Sequence, residues 1–556
     1  MTDRDALFRA ICAQPDEDTP RLAYADWLDE HDRPDEAEFI RVQCRLAQRP
    51  YDHPDYPELL ERVADLDKVL TPGDRDSLPP LPDGIGFKPY TPDPGPSRRW
   101  GDFSRGFVER GSYRASWDHT RLKARRFAKN LEQLFATTTI RTVQANFRKH
   151  LGGLAEFLSL PVVEHLRGLV IDRTGDDSER KQADDVARLV AQSPRLKNLR
   201  RLELVVPVGE RGLHHLASAR HFGRLEVLSI RSPNFTPAGL AYFGRVPWFR
   251  NLRELTLHGD TTGDPHGMSA EAFAQIGYIP EMPHLASLHL QWVNPSSEGM
   301  AALARSKSFP RLGKLTIEQS HMGQDEAREL FAARDWPLRH LHLEGFDLGD
   351  AGATALAKWP LAAGLRVLNL PSCGVRAKGT TALAKSAALA GVRHLDLSND
   401  PIGPGGLAAL AASKSFRQLR SLSLVHSYGI GVCTQTEGAA FMAALRMPEL
   451  RHLLFWGVGI GGKGAKVVAE SKRFRNLRQL MLEDCGVTDA AARTIFESPH
   501  LQQLVYLNLC TNKIGRSAEV LARPDIMPKL AHCMLVFNPI PQTCVDRISG
   551  RAGLEI

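Results

Sequence analysis

Gly457, Gly459 and Gly462 follow the spacing G-x-G-x-x-G inside "LLFWGVGIGGKGAKVVAESKRFRNLRQLMLEDCG", and Glu483 follows downstream. An apolar strand, such a turn and a helix are the parts of a dinucleotide fingerprint. They supply a tight turn, a bare backbone for a pyrophosphate, and a carboxylate about twenty residues on for the ribose. "GVGIGGKG" also approaches a phosphate-binding loop, although Gly464 stands where Mg²⁺ would need a Ser or Thr hydroxyl. Whether these glycines serve a nucleotide depends on the elements around them.

The chain has 556 residues, 43% of them hydrophobic and 24% charged, enough for a large core. No run of 18 apolar residues occurs and "MTDRDALFRA" is acidic, so neither a membrane span nor a secretory signal is expected, and the cytoplasm is the default compartment. Eight cysteines form no CxxC pair, which implies neither a zinc site nor a disulfide framework. The net charge of +7 is uneven. Residues 1–48 hold twelve Asp/Glu against six Arg, a net of −6, which leaves +13 for the rest.

From Leu199 onward the text repeats: "LRRLEL", "LEVLSI", "LRELTL" and so on to "LVYLNL" and "LAHCML", with weaker copies at Ile140 and Leu166. The fifteen copies start 26 or 27 residues apart, except for gaps of 33, 33 and 31. L-x-x-L-x-L puts alternate side chains on one face of a short strand, and one strand cannot bury its leucines alone. Stacked copies bury them in a continuous parallel sheet. Helical segments such as "GATALAKW", "GTTALAKS" and "GAKVVAES" complete each unit. Helices are wider than the strand spacing of roughly 4.8 Å, so the expected α/β stack curves into a horseshoe with the sheet on its concave side.

Residues 135–545 resemble the leucine-rich-repeat family in its long, ribonuclease-inhibitor-like form. One feature departs from it. Counting the first leucine of each copy as position 1, the family's asparagine at position 9 appears only as Asn512 and Asn538. Cys373 and Cys485 replace it in two copies, and others carry Pro, Ser or Phe. The segment "PDEDTPRLAYADWLDEHDRPDEAEFIRVQCRLA" resembles the repeat-companion domain that precedes repeat arrays in many planctomycete proteins. Thr2 with Asp5 predicts a capped first helix, Thr19 and Pro20 a second, and Pro34 a third. Leu22, Trp27, Leu28, Phe39 and Ile40 are the expected core. The organisation is then a helical domain at 1–48 and a Pro-rich linker with one helix ("PELLERVADLDKVL") at 49–105. The solenoid follows at 106–545, with "GFVERGSYRAS" as a capping strand, and a tail at 546–556.

This register places the glycines. Leu450, Leu453 and Phe455 anchor one repeat, Ile460 is buried behind them, and neighbouring copies are glycine-rich at the same turn. A solenoid has no switch in strand order, so no cofactor is expected.

Histidines recur at outward strand positions: His289, His340, His342, His394, His452 and His532. His340, His394 and His452 fall in alternate repeats roughly 10 Å apart, too far for a metal whose donors lie about 2 Å from it. His342 with Glu318, Glu344 and Asp396 makes a denser polar cluster, expected to be solvated surface, with a ligand or metal site as the alternative. His258, Asp260, Asp264 and His266 in "HGDTTGDPHG" lack a metal spacing, and no metal is expected. No nucleophile stands beside a base, so the chain is expected not to be an enzyme.

Arg fills position 2 in ten copies: Arg141, Arg167, Arg200, Arg253, Arg339, Arg366, Arg393, Arg420, Arg451 and Arg478. Such a row could hold a polyanion, nucleic acid included, or could simply pair with nearby carboxylates. No aromatics interleave with it for base stacking. In the last four repeats Leu454, Trp456, Met481, Tyr506, Met534 and Val536 take outward positions that are polar elsewhere. They read as anchors for a protein partner, with His342 and His394 as polar neighbours, unless residues 541–556 fold over them. Three longer copies add rim loops. The expectation is a non-enzymatic protein-binding scaffold. Its alternatives are a polyanion binder or a regulator of an enzyme, as GTPase activators built on similar arrays are. The partner's identity and the oligomeric state are not legible.

Overall fold

A computed structural model describes residues 2–49, 53, 55–69, 103–104, 107–108, 110–112, 121–145, 151–171, 178–232, 235–259, 268–320, 322–425, 433–550 and 553–556. The chain divides into two compact units, Met1–Lys314 and Leu315–Ile556.

The first unit opens with helices α1 (Asp3–Ala13), α2 (Thr19–Glu30), α3 (Pro34–Gln48) and α4 (Tyr56–Val69). Thr2 and Asp5 close the expected capping box on α1. Asp18, not Thr19, precedes α2. Ile11, Tyr24, Ala25, Leu28, Ala37, Ile40 and Cys44 form the head core, and Trp27 stacks between Tyr24 and His31. Leu22, expected inside, is 39% exposed, because its neighbours Arg21, Tyr24, Ala25 and Leu28 form the inward stripe of α2. The helix expected in the linker, α4, packs on a second face of α3: Val63 and Leu66 meet Phe39 and Val42, and Arg62 pairs with Glu38.

Arg110–Ser112 pairs parallel with Thr142–Ala145 and so begins the first unit's sheet. Pairing continues in chain order through Gly168–Ile171, Arg201–Pro207, Val227–Ser232, Glu254–Gly259 and Ser287–Gln291. In the second unit, strands His340–Glu344, Val367–Asn369, His394–Asp396, Ser421–Val425, His452–Trp456, Gln479–Glu483, Tyr506–Asn508 and His532–Met534 pair the same way. The register aligns Leu341, Leu368, Leu395, Leu422, Leu453, Leu480 and Leu507, all buried. The fold is a leucine-rich-repeat solenoid. Its strands follow chain order because each copy can bury its leucines only against the copies beside it.

Three devices join consecutive repeats. An aspartate on one helix caps the next: Asp184 accepts from the Gly209 and Gly212 amides, Asp350 from Arg376 and Gly379, and Asp489 from Gly515 and Ser517. Burial alone would raise the Asp489 carboxyl, but hydrogen bonds from Ser517 and the Gly515 amide hold it below the usual carboxylate range. A serine just after a helix donates to the last turn of the preceding one, as Ser413 does to Ala384 O at 2.6 Å.

The third device is at position 9. Asn512 Oδ1 accepts from the Cys485 and Val487 amides, and its Nδ2 donates to Leu482 O, Leu509 O and Cys510 O. Cys373 and Cys485 donate their thiols to Leu343 O and Phe455 O, thirty residues back as Leu482 is from Asn512. Asp400 takes the same place, unnoticed in the sequence, with Oδ1 accepting from the Val375 amide.

From the copy at Leu285 onward, position 8 bends the chain out of the strand with positive φ: Trp292, Gln319, Gly345, Ser372, Asn399, Gly457, Asp484, Thr511 and Phe537 all adopt it. That explains Gly457. Gly459 has another cause, since a Cβ there would lie 2.4 Å from Cys433 O of the preceding repeat. The turn's amides are already engaged: Gly457 N–H donates to Glu483 O and Gly461 N–H to Cys485 O. These donors face the next repeat, where a nucleotide site would aim them at a phosphate.

Candidate functional site

Strand side chains at positions 3, 5 and 7 lie on the sheet face opposite the buried leucines. In the second unit position 5 runs His342, Asn369, Asp396, Ser423, Leu454, Met481, Asn508, Met534 across paired strands. Position 7 places Val425, Trp456 and Glu483 side by side. The apolar residues picked out in the sequence therefore meet on successive strands. Leu454, Trp456, Met481, Tyr506, Met534 and Val536 are each half-buried. Tyr506 donates its hydroxyl to Met534 Sδ at 3.2 Å, and burial pushes its pKa up to about 12, so it stays neutral. A polar pair interrupts the patch, with Asn508 Nδ2 donating to Glu483 Oε2 at 3.0 Å.

The tail goes elsewhere. Gln542–Ile548 packs on the Arg516–Ala522 helix, and Leu554–Glu555 pairs parallel with His532–Met534 as a last strand. Leu535 N–H donates to Glu555 O at 2.7 Å. The tail thus covers the sheet's edge, which would otherwise template further pairing.

Sequence reasoning missed Phe537. It is 83% exposed and sits at position 8 with φ 61°. The recurrence of Gly, Asn and Asp at position 8 was the available signal, because among the described residues only Trp292 and Phe537 put an aromatic there. Left-handed backbone costs a non-glycine residue roughly 1–2 kcal/mol, and an exposed ring recovers little by burial. Phe537→Gly is expected to raise stability by up to about 1 kcal/mol after the added chain entropy of glycine. The urea midpoint measures it, and a lowered midpoint would show that the ring packs.

His342 and His394 do not join this patch. His394 is half-buried at position 3 between Val367 and Ser421. His342 was expected to be solvated, but it is only 6% exposed, because the strands beside it and two carboxylates enclose the ring. Asp396 is also buried, accepts from the Ser398 amide, and has its carboxyl raised by desolvation. Asp260, Asp264, His266 and much of the three rim loops lie outside the described residues, whereas His258 ends in the Glu254–Gly259 strand.

The arginine row has contacts within the protein. In the first unit Arg141 is buried, donating to Cys12 O, Phe135 O, Thr138 O and Ile140 O. Arg167 and Arg200 pair with Asp16 of the head at 3.1 and 3.5 Å. In the second unit Arg339 and Arg366 donate to Gly364 O and Leu365 O. All eight cysteines are free thiols, and burial pushes Cys12, Cys433 and Cys510 up to about 11.

No family model matches the chain, and no curated protein matches it. Among solved structures it is similar to a chain in the crystal structure of the Rad7 and Elc1 complex in yeast. The identity is 15% and the TM-score 0.39, covering 69% of this chain and 86% of that one. The repeat assignment stands on this chain's own strand register. Among the described residues, no helix is long and apolar enough to cross a membrane.

Proposed function

We propose that the chain is a non-enzymatic scaffold that holds a protein partner against the strand face bearing Leu454, Trp456, Met481, Tyr506, Met534 and Val536, with Phe537 beside it. One observation supports this reading above the others: the tail occupies the sheet edge and the helix side, while the apolar face stays half-exposed. Aromatic and methionine side chains grouped on an exposed face are the anchors that a protein partner desolvates. A regulator of an enzyme, GTPase-activator-like, would use the same face. The polyanion reading is disfavoured, since Arg141, Arg167 and Arg200 are engaged by the head and by backbone carbonyls. On sequence resemblance alone we take the head as a repeat-companion domain; the cytoplasm is kept as the default compartment that the sequence suggests.

The test compares partners captured by wild type, by Trp456→Glu, and by Lys466→Glu, a control on an exposed helix position. Loss of a central aromatic anchor costs at least about 2 kcal/mol, roughly thirtyfold in affinity. A partner retained by the control and depleted by Trp456→Glu is expected. Identical sets across all three proteins would refute the face.

A further inference from the structure

The second unit holds a group of side chains that the scaffold reading leaves unused. Glu318, His342 and Glu344 each present one donor atom, and these atoms all lie within 4.8 Å of one another. His342 Nε2 is 3.3 Å from Glu344 Oε2 and 3.6 Å from Glu318 Oε1. The strands place them so: His342 is at position 5, and both glutamates are at position 7 of adjacent copies.

Nε2 is at hydrogen-bond distance from Glu344 Oε2, with Glu318 Oε1 just beyond it, so one imidazole nitrogen faces two carboxylates. A metal ion there takes the Nε2 lone pair and both carboxylates together, with the ring's proton on Nδ1. Donors about 2.05 Å from a tetrahedral ion lie roughly 3.3 Å apart. The two distances from Nε2 are within about 0.3 Å of that edge. Two carboxylates also balance the charge of a divalent ion.

We propose that Glu318, His342 and Glu344 form a binding site for a first-row divalent cation of the Zn²⁺ class. Imidazole with carboxylates suits these ions, whereas Mg²⁺ and Ca²⁺ favour all-oxygen shells. The imidazole is preorganised by burial, since its side chain is only 8% exposed against 16% for Glu318 and 35% for Glu344. The Glu344 side is the more open and would admit water or a partner's ligand as the fourth donor.

The full chain, without a polyhistidine tag and stripped with chelator, is titrated with Co²⁺ and then Zn²⁺. The expected result is one Co²⁺ per chain with visible ligand-field bands of nitrogen–oxygen type, displaced by Zn²⁺. His342→Ala should abolish them, and Glu344→Gln should weaken binding at least about tenfold. Circular dichroism checks folding. If His342→Ala does not fold, Glu318→Gln and Glu344→Gln decide the matter. Binding unchanged in the folded variants, thiolate charge-transfer bands, or no saturable binding by wild type would each overturn the site.

Discussion

Replacing Arg141 with Ala should destabilise the first unit by at least about 3 kcal/mol, lowering its urea midpoint and exposing the head to protease. The side chain is buried, and its guanidinium satisfies four carbonyls: Cys12 O at 2.7 Å, Phe135 O at 2.9 Å, Thr138 O at 2.8 Å and Ile140 O at 2.7 Å. Cys12 lies in the last turn of α1, and Phe135 in the last turn of the Arg121–Thr137 helix. The cation therefore sits at two helix C-termini, where the macrodipole favours it. It also lies over the Phe135 ring, 5.2 Å from the centroid. Each carbonyl left buried and unpaired costs about 1–3 kcal/mol, and water can refill only part of the space. Lys should not rescue, because a single ammonium cannot reproduce a planar fork that spans four acceptors. An unchanged midpoint would mean that the head is held by other contacts.

Asp400→Asn should stabilise the second unit at neutral pH, by on the order of 1–3 kcal/mol. Asp400 is fully buried; Oδ1 accepts an amide, and Oδ2 has no partner. By repeat equivalence Oδ2 stands where Asn512 directs its Nδ2 at carbonyls, Leu370 O being the counterpart of Leu482 O. A carboxylate oxygen is repelled there, whereas a protonated one can donate. Desolvation accordingly raises the carboxyl well above its ordinary value, although amides at Val375 and Cys373 pull the other way.

The sign follows from linkage. The folded state keeps a proton that the unfolded chain releases near pH 3.9, so this contribution is complete below that pH. It declines as pH rises through the window up to the folded value. Asn removes that slope, so its advantage should be large at pH 8 and small at pH 4. Asp489, held low, works in the opposite direction and weakens the fold on acidification. Urea midpoints of wild type and Asp400→Asn across pH 4–8 measure the difference, and parallel curves would contradict the protonated-acid account.

The strand register was legible because a leucine repeat with a 27-residue period admits few packings, and the buried column from Leu341 to Leu507 follows directly from it. The glycine turn was legible for the same reason, although not the approach of Gly459 to Cys433 O, which depends on how closely adjacent repeats stack. The apolar face at Leu454 to Val536 could be picked out from alternation alone.

Three features could not be read. The burial of His342 arises across strands: the register groups it with Glu318 and Glu344, but a linear pattern of polar residues reads as solvated surface. The attachment of the head through Arg141, Arg167 and Arg200 needs residues more than a hundred apart in sequence to meet. The path of the tail was left open because a short apolar segment fits a sheet face and a sheet edge equally well.

Oxidative footprinting of the free protein tests most directly whether the face of the last repeats is open. Trp456, Met481, Met534 and Phe537 should be modified well ahead of Met442 and Met527, which are fully buried. Met481 and Met534 as protected as Met442 would contradict the account.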